Sequence, residues 1–456
     1  MKKLTQKLVN ALALLAIIGL TACSSDNDSV KQNEQPSPST RLQIVHASPD
    51  APLVNILADD SVVAENVDYL QATPYNSITV GSHTLAVKAL LADETQIDAF
   101  APVSVDLAAE TIYTVLAVNN VAAIEPLVLT RPDTGVTTGK VRLQLVHAAA
   151  NAPMVDIYLT TPGADLTQQS PLVTAEFKQS LDATEIDPGE YQVRITPAGD
   201  AQTIVYDSGS KMLNAGGDYL VAAVTNVGPG SHPVNLIAVN PQGQTLPWLH
   251  SETPAAVRVV HASPDAPAVD VVANDNFDAP LIENLAYTEF AGYVMLPAAD
   301  YNIKVTPTGA QAPVVIDADL SLMAGESYNV IAANVLASIE PLVLTADNRR
   351  IATEAKLRLV HASPAAGNVD IYIVAPGADI TDLTPALSDV ALTADSGFVS
   401  LLPGDYDVIL TVAGSKDIAL GPVSVTLNGA GIYTAIARDA AGGGLPAGLI
   451  LLDDFL

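Results

Sequence analysis

His261-Ala262-Ser263-Pro264-Asp265-Ala266-Pro267 follows directly on the apolar run Val257-Arg258-Val259-Val260. The same seven residues recur as His46 to Pro52, after Leu42-Gln43-Ile44-Val45. Two looser copies complete the set: His147 to Pro153 after Leu143-Gln144-Leu145-Val146, and His361 to Gly367 after Leu357-Arg358-Leu359-Val360. Nine residues beyond each His, inside a second apolar run, stands Asn55, Asp156, Asp270 or Asp370. A strand, a Pro-bounded turn and a second strand therefore occur four times. The spacing of roughly a hundred residues is too long for a solenoid repeat and fits a string of independent domains.

The copies are related in pairs. Copies one and three share the seven-residue turn and a distal Ile-Glu-Pro-Leu-Val-Leu-Thr at 124–130 and 339–345. Copies two and four share Val-Asp-Ile-Tyr at 155–158 and 369–372, and Pro-Gly-Ala-Asp at 162–165 and 376–379. His46 lies 215 residues from His261, as Pro126 does from Pro341, and His147 lies 214 from His361, as Gly163 does from Gly377. The pattern is a two-domain unit, A-B, duplicated to A-B-A-B. It assigns a β-repeat of type A to 41–131 and 255–345, and one of type B to 140–240 and 354–456. Residues 130–135 and 241–254 read as linkers. Residues 41–240 and 255–456 are expected to fold as separate pairs, with protease entering first between Pro241 and Pro254 or in the polar stretch before residue 41.

Within a repeat the period is two. Tyr301, Ile303 and Val305 alternate with Asn302, Lys304 and Thr306, and Tyr191, Val193 and Ile195 alternate with Gln192, Arg194 and Thr196. Half-buried strands have this pattern. The third repeat offers eight such runs, at 257–261, 268–273, 281–285, 287–296, 301–306, 313–322, 327–335 and 339–345. Many short strands and no amphipathic helix predict an all-β chain of four tandem immunoglobulin-like β-sandwich domains. Tyr113, Tyr219, Tyr328 and Tyr433 each follow a turn and open an apolar strand, the place of a tyrosine corner.

The N-terminus reads as an export signal: Lys2, Lys3 and Lys7, an apolar run to Leu20, then Leu20-Thr21-Ala22-Cys23. The run is too short to span a bilayer as a helix. Leu-x-Ala-Cys here resembles the lipobox of bacterial lipoproteins, which implies that 1–22 is cleaved and that Cys23 carries the lipid. Ser24 after the Cys resembles outer-membrane sorting, so the expected place is the bacterial cell envelope, at the outer membrane. Residues 23–40, polar and Pro-containing, then form a flexible tether. Cys23 is the only cysteine, so the chain has no internal disulfide. The net charge of −30 would become −33 once the three signal lysines are removed. Such a surface disfavours nucleic acid and anionic headgroups and tolerates divalent cations.

The apolar run, repeated His and Pro-bounded turn together resemble a bacterial family called domain of unknown function 4397 (DUF4397). The resemblance spans the four copies, implies exported β-domains and supplies no catalytic residues. His46, His147, His261 and His361 are in phase with the apolar residues two and four before them, so alternation turns each toward the core. A buried imidazole needs partners. The turn's backbone, a Ser hydroxyl in three copies and the Asn or Asp nine residues on are the candidates. The four His therefore stand as structural or binding residues.

A catalytic role is disfavoured within the chain itself. Ser48, Ser263 and Ser363 correspond to Ala149, and Asp50 and Asp265 correspond to Asn151 and Ala365. Zinc spacings, EF-hand loops, phosphate-binding Gly loops and the G-x-S-x-G elbow are missing from the sequence. No cofactor, catalytic residue or metal ligand is assigned. The expectation is a lipid-anchored, non-enzymatic protein presenting binding domains to an envelope or extracellular partner. A polysaccharide module is the less favoured alternative, because 5% aromatic residues with one Trp offer few stacking platforms. A Ca²⁺-stiffened rod is another, with Asp133, Glu252 and Asp347 near the linkers but in no recognised loop.

Overall fold

Along Ala255–His261 successive side chains point to opposite faces of a sheet, yet all seven residues are buried. The same holds for Val141–His147 and Ala355–Ala362. A strand with both faces covered reads as a continuous apolar run rather than an alternating one. The two covers are the second sheet of its own sandwich and the next sandwich in the chain.

The computed structural model describes residues 38–455. The signal peptide, Cys23 and nearly all of the expected tether lie outside the described residues. The first strand, Ser39–His46, begins two residues before the expected repeat boundary.

Each repeat is a two-sheet sandwich. In the third, one sheet runs in the order Val294–Leu296, Ala255–His261, Ser327–Ala333 and Glu340–Ala346. The other runs Ile282–Leu285, Val269–Ala273, Asp300–Pro307 and Ile316–Ser321. All neighbours are antiparallel except the first and seventh strands, which pair in parallel from Ala256↔Ser327 to His261↔Ala332. The parallel pair recurs in every repeat, as Ile44↔Val115, Leu145↔Val221 and Leu359↔Ala435. The layering is immunoglobulin-like, with this parallel pair at the centre of one sheet. The eight expected runs of the third repeat are all present, but the fourth is short. Thr288 is left-handed at φ +72°, and only Val294–Leu296 of 287–296 extends as a strand.

Leu42, Ile44, Ile56 and Val87 fill the core of the first sandwich, and Val257, Val259, Val271 and Val305 that of the third. The opposite faces build two further cores. Val45, Leu116 and Val118 of the first sandwich pack with Val146, Leu220, Ala222 and Ile237 of the second. Val260, Ile331 and Ala333 of the third pack with Val360, Ile436 and Ile450 of the fourth. Burying such a side chain contributes about 1.5–3 kcal/mol. The sandwiches of a pair are therefore joined through dry apolar faces, which corrects the reading as independent beads.

The stretch expected to link the pairs is also corrected. Thr245–Trp248 adds a fifth strand to one sheet of the second sandwich by pairing with Val234–Val239. Trp248 lies in the core, and its carbonyl accepts from the buried Tyr206 hydroxyl at 2.5 Å. Gly243 (φ +78°) lies so close to the backbone of Thr73 and Pro74 that a Cβ would stand 2.5 Å from Thr73 carbon.

Three of the four tyrosines expected at corners, at the start of the seventh strand, tie back to the preceding turn. Tyr113 oxygen accepts from Ala108 N–H at 2.9 Å, Tyr328 from Met323 at 3.2 Å and Tyr433 from Asn428 at 2.9 Å. Gly431 and Gly217 give the rings room: a Cβ there would come within 2.4 Å of Tyr433 and 2.6 Å of Tyr219. A second set, unforeseen in the sequence, joins Tyr191, Tyr301 and Tyr406 to the carbonyls of Asp187, Pro297 and Leu402.

Candidate functional site

The four His occupy one setting. Each ends the first strand with its ring buried, and each Nδ1 faces the backbone N–H two residues on. The donors are Ser48 (3.3 Å), Ala149 (3.3 Å), Ser263 (3.4 Å) and Ser363 (3.3 Å). Nε2 lies against the carbonyl six residues on: Pro52 (3.1 Å), Pro153 (3.3 Å), Pro267 (3.0 Å) and Gly367 (2.6 Å). A carbonyl can only accept and an N–H can only donate, so the partners select the neutral Nε2–H tautomer. Both ring nitrogens are then engaged by the turn's own backbone. Burial lowers all four pKa values, that of His46 to about 4, against the pull of the carbonyl bond.

The other expected partners do different work. The residue nine positions on does not meet the imidazole; it pins the second strand to its neighbours. Asp270 accepts from Asn284 N–H and Gly309 N–H, both at 2.8 Å, and Asp370 from Asp389 (2.8 Å) and Gly414 (2.9 Å). Asp156 accepts from Gly199, and Asn55 from Asn66. Nor do the Ser hydroxyls reach the ring. Those of Ser48 and Ser263 are buried without a partner among the described residues, and that of Ser363 donates to Asp439. Asp50 and Asp265 cap the short helical turns Val121–Ala123 and Leu336–Ser338 through the N–H of Val121 and Leu336, each at 2.7 Å.

An aromatic residue meets the His edge from the loop after the third strand: Tyr69, Phe177 and Tyr287, at 6.2, 6.5 and 6.1 Å between centroids. The hydroxyls of Tyr69 and Tyr287 continue into the next sandwich, donating to the carbonyls of Thr225 (2.8 Å) and Asp439 (2.6 Å). The repeated turn is thus the end-piece of a joint between the sandwiches of a pair. Asp218 beside Arg131 (2.9 Å) and Arg142 (3.6 Å) closes the rim of the first joint, and Arg258 with Asp453 (2.9 Å) that of the second.

The first copy of the turn carries one more contact, invisible in the repeat pattern. Arg349, from the connector before the fourth sandwich, donates to the carbonyls of Pro49 (3.0 Å) and Ala51 and pairs with Asp68. Ala352 N–H donates to the carbonyl of Asp50 at 2.8 Å. The two pairs therefore meet at the His46 turn.

The carboxylates weighed as Ca²⁺ ligands do not converge. Asp133 is held by Arg41, Asp347 by Lys356 at 2.6 Å, and Glu252 is exposed. Among the described residues no group of three or more His, Cys, Asp or Glu is placed to hold a metal ion. His83 bonds Asp59 and the Thr79 carbonyl. His232 and His250, unmatched in the repeats, stack at 5.0 Å beside the start of the third sandwich. No helix among the described residues is long and apolar enough to cross a membrane.

The third sandwich contains a cavity of about 100 Å³ between its sheets. The same walls in the first sandwich enclose about 20 Å³. Sequence periodicity could not reveal it, because both sets of residues are apolar and differ only in bulk. At about 24 cal/mol per Å³ the extra void costs the third sandwich on the order of 2 kcal/mol.

Residues 40–158 and 255–372 match the family described as "Domain of unknown function (DUF4397)", together just over half of the sequence. The chain belongs to this family. Each match covers a whole A-type sandwich and continues through the first two strands of the B-type sandwich after it. One DUF4397 match thus contains two copies of the His turn but only part of the joint between the sandwiches, since Leu220 and Ile237 of the first joint and Ile436 and Ile450 of the second lie outside it. No curated protein matches the chain. Among solved structures, the Bacillus anthracis TIE protein aligns over 89% of this chain and 69% of its own, at 12% identity and a TM-score of 0.15. A multi-modular glycogen-degrading pneumococcal virulence factor, SpuA, aligns over 60% of this chain and 37% of its own, at 9% identity and a TM-score of 0.16.

Proposed function

We propose that this DUF4397 protein is a lipid-anchored, non-enzymatic component of the bacterial envelope that holds a stiff platform of four β-sandwiches outside the cytoplasm for binding. The engagement of the repeated His carries this reading. The His that stands at the same place in all four repeats spends both ring nitrogens on its own turn. It has no free lone pair for a metal and no access for a substrate. The dry joints within each pair and the Arg349 contact between pairs favour presentation of a fixed surface over a loose string. The lipobox ending at Cys23 supplies the anchor, and the acidic surface turns the platform away from nucleic acid and anionic headgroups.

Two measurements test the reading. Cys23→Ser should leave the chain unprocessed or release it from membranes; unaltered processing and detergent partitioning in that variant would remove the anchor from the proposal. A soluble form spanning 40–456 should bind an envelope protein or glycan without turning it over. Saturable turnover of any partner, abolished by a single substitution, would make it an enzyme instead.

A further inference from the structure

We infer that the third sandwich holds a short alkyl chain of a neutral or cationic molecule in the slot between its two sheets. The duplication provides the comparison. Ile44, Ile56, Phe100 and Val103 of the first sandwich stand where the third has Val259, Val271, Ile316 and Ala318. All four changes remove bulk; Leu320 in place of Val105 adds some back. The result is about 100 Å³ of space against about 20 Å³. That space accommodates on the order of three methylene groups, taking each as close to the ≈30 Å³ share of a water molecule, so a six-carbon chain would seat its tail there and leave its head and the carbons next to it at the rim.

The lining decides the chemistry. Asp319 is the one charged residue among the cavity's walls, and it is exposed at the rim; the rest are apolar. A water inside would need two or more polar partners and finds none, so the space is dry in the manner of apolar protein cavities that take up small hydrocarbons. Its walls are side chains on paired strands, so the site is pre-formed. The walls reach the edge strands Ile316–Ser321 and Glu340–Ala346, where Asp319 and Val343 are exposed. Asn302 Nδ2 donates to Asp319 at 3.2 Å and so holds the one carboxylate among the cavity's walls, while its other acceptor, Asp317 at 2.9 Å, stands opposite Lys304 on the neighbouring strand. A carboxylate head would be repelled there, whereas a hydroxyl or ammonium head would be accepted.

The test titrates the soluble chain 40–456 with n-hexanol, n-hexylamine and n-hexanoate, followed by methyl NMR of Val, Leu and Ile. Hexanol and hexylamine should shift third-sandwich methyls saturably, with hexanoate weaker by about tenfold, or 1.4 kcal/mol. Ile316→Phe with Ala318→Val restores the first sandwich's residues. It should lose about tenfold or more in hexanol affinity while its unliganded melting temperature holds or rises. Ala318→Val alone serves if the double variant does not fold. Asp319→Asn should bring hexanoate close to hexanol. No saturable hexanol binding, or equal binding by the filled variant, would overturn the inference.

Discussion

The guanidinium of Arg349 lies 5.2 Å from the centre of the Tyr69 ring, 280 residues away in sequence, and its Nε donates to Pro49 carbonyl at 3.0 Å. Tyr69 in turn meets the edge of His46 and bonds Thr225 in the second sandwich. One side chain from the second pair is therefore seated on the joint of the first. The sequence gives the second pair an equivalent turn at His261, but there the cover is different: the N–H of Gly442, in the fourth sandwich, donates to the carbonyl of Pro264 at 2.8 Å.

Arg349→Ala should uncouple the pairs. It removes charge-assisted bonds to two backbone carbonyls, each worth about 1.5–3 kcal/mol. Calorimetry should resolve two transitions where the parent unfolds with more overlap, and scattering should report a wider distribution of sizes. Arg349→Lys should not restore the parent behaviour, because a single ammonium cannot reach carbonyls on two sides as the planar fork does. A single unshifted transition in both variants would contradict the clamp.

The joint within a pair should fail when a charge is placed in it. Ile331 is fully buried against the fourth sandwich. Ile331→Asp leaves an unpaired carboxylate in an apolar interface, which costs several kcal/mol. The third and fourth sandwiches should then separate or unfold, detectable as new protease sites and as dye binding to exposed apolar surface. Retained protection would mean the two faces are not held together in solution.

The duplication, the strand period and the tyrosine corners were legible because each is a local pattern of residue type. The joints were less so. Val45, Val146, Val260 and Val360 stand out of phase with the core residues beside them, and a run apolar on both faces was the available sign that something else covers them. Trp248 shows the opposite failure: Pro- and Gly-rich surroundings mark 241–254 as a linker, while tertiary packing makes four of its residues a strand. The cavity and the Arg349 contact depend on side-chain volume and on distant chain segments, which composition and spacing do not encode.

Trp248→Ala should destabilise the first pair by about 3–5 kcal/mol, the usual range for removing a large buried aromatic side chain. As the only Trp, residue 248 also makes its fluorescence a reporter on the second sandwich. Limited proteolysis should spare 245–248 in the native chain. Early cleavage there, ahead of the exposed loop at 311–314, would mean that the fifth strand is not formed.

Acid should loosen the repeats before most carboxylates protonate. In each turn Nδ1 accepts a backbone N–H, so a proton added at that nitrogen would face a donor and break the bond. The folded pKa is below the ordinary 6.5, and for His46 it is about 4, chiefly through burial and then through the nearby Arg349 charge. A group with a lowered folded value binds its proton on unfolding. Its contribution is therefore complete above pH 6.5 and is lost as the pH falls toward the folded value. For His46 the loss between pH 7.5 and 5 is on the order of 2 kcal/mol. His147, His261 and His361 act in the same direction. His83, whose pKa is raised by its bond to Asp59, acts in the opposite one. Urea unfolding followed at Trp248 should show falling stability of the first pair across this window. His46→Gln should flatten the fall, because it removes the proton uptake, and should cost less at pH 7.5 than His46→Ala, because its amide can still donate to Pro52 carbonyl. A parent protein equally stable at pH 7.5 and 5, or a His46→Gln variant with an unchanged pH slope, would show that the imidazole is not held neutral in its turn.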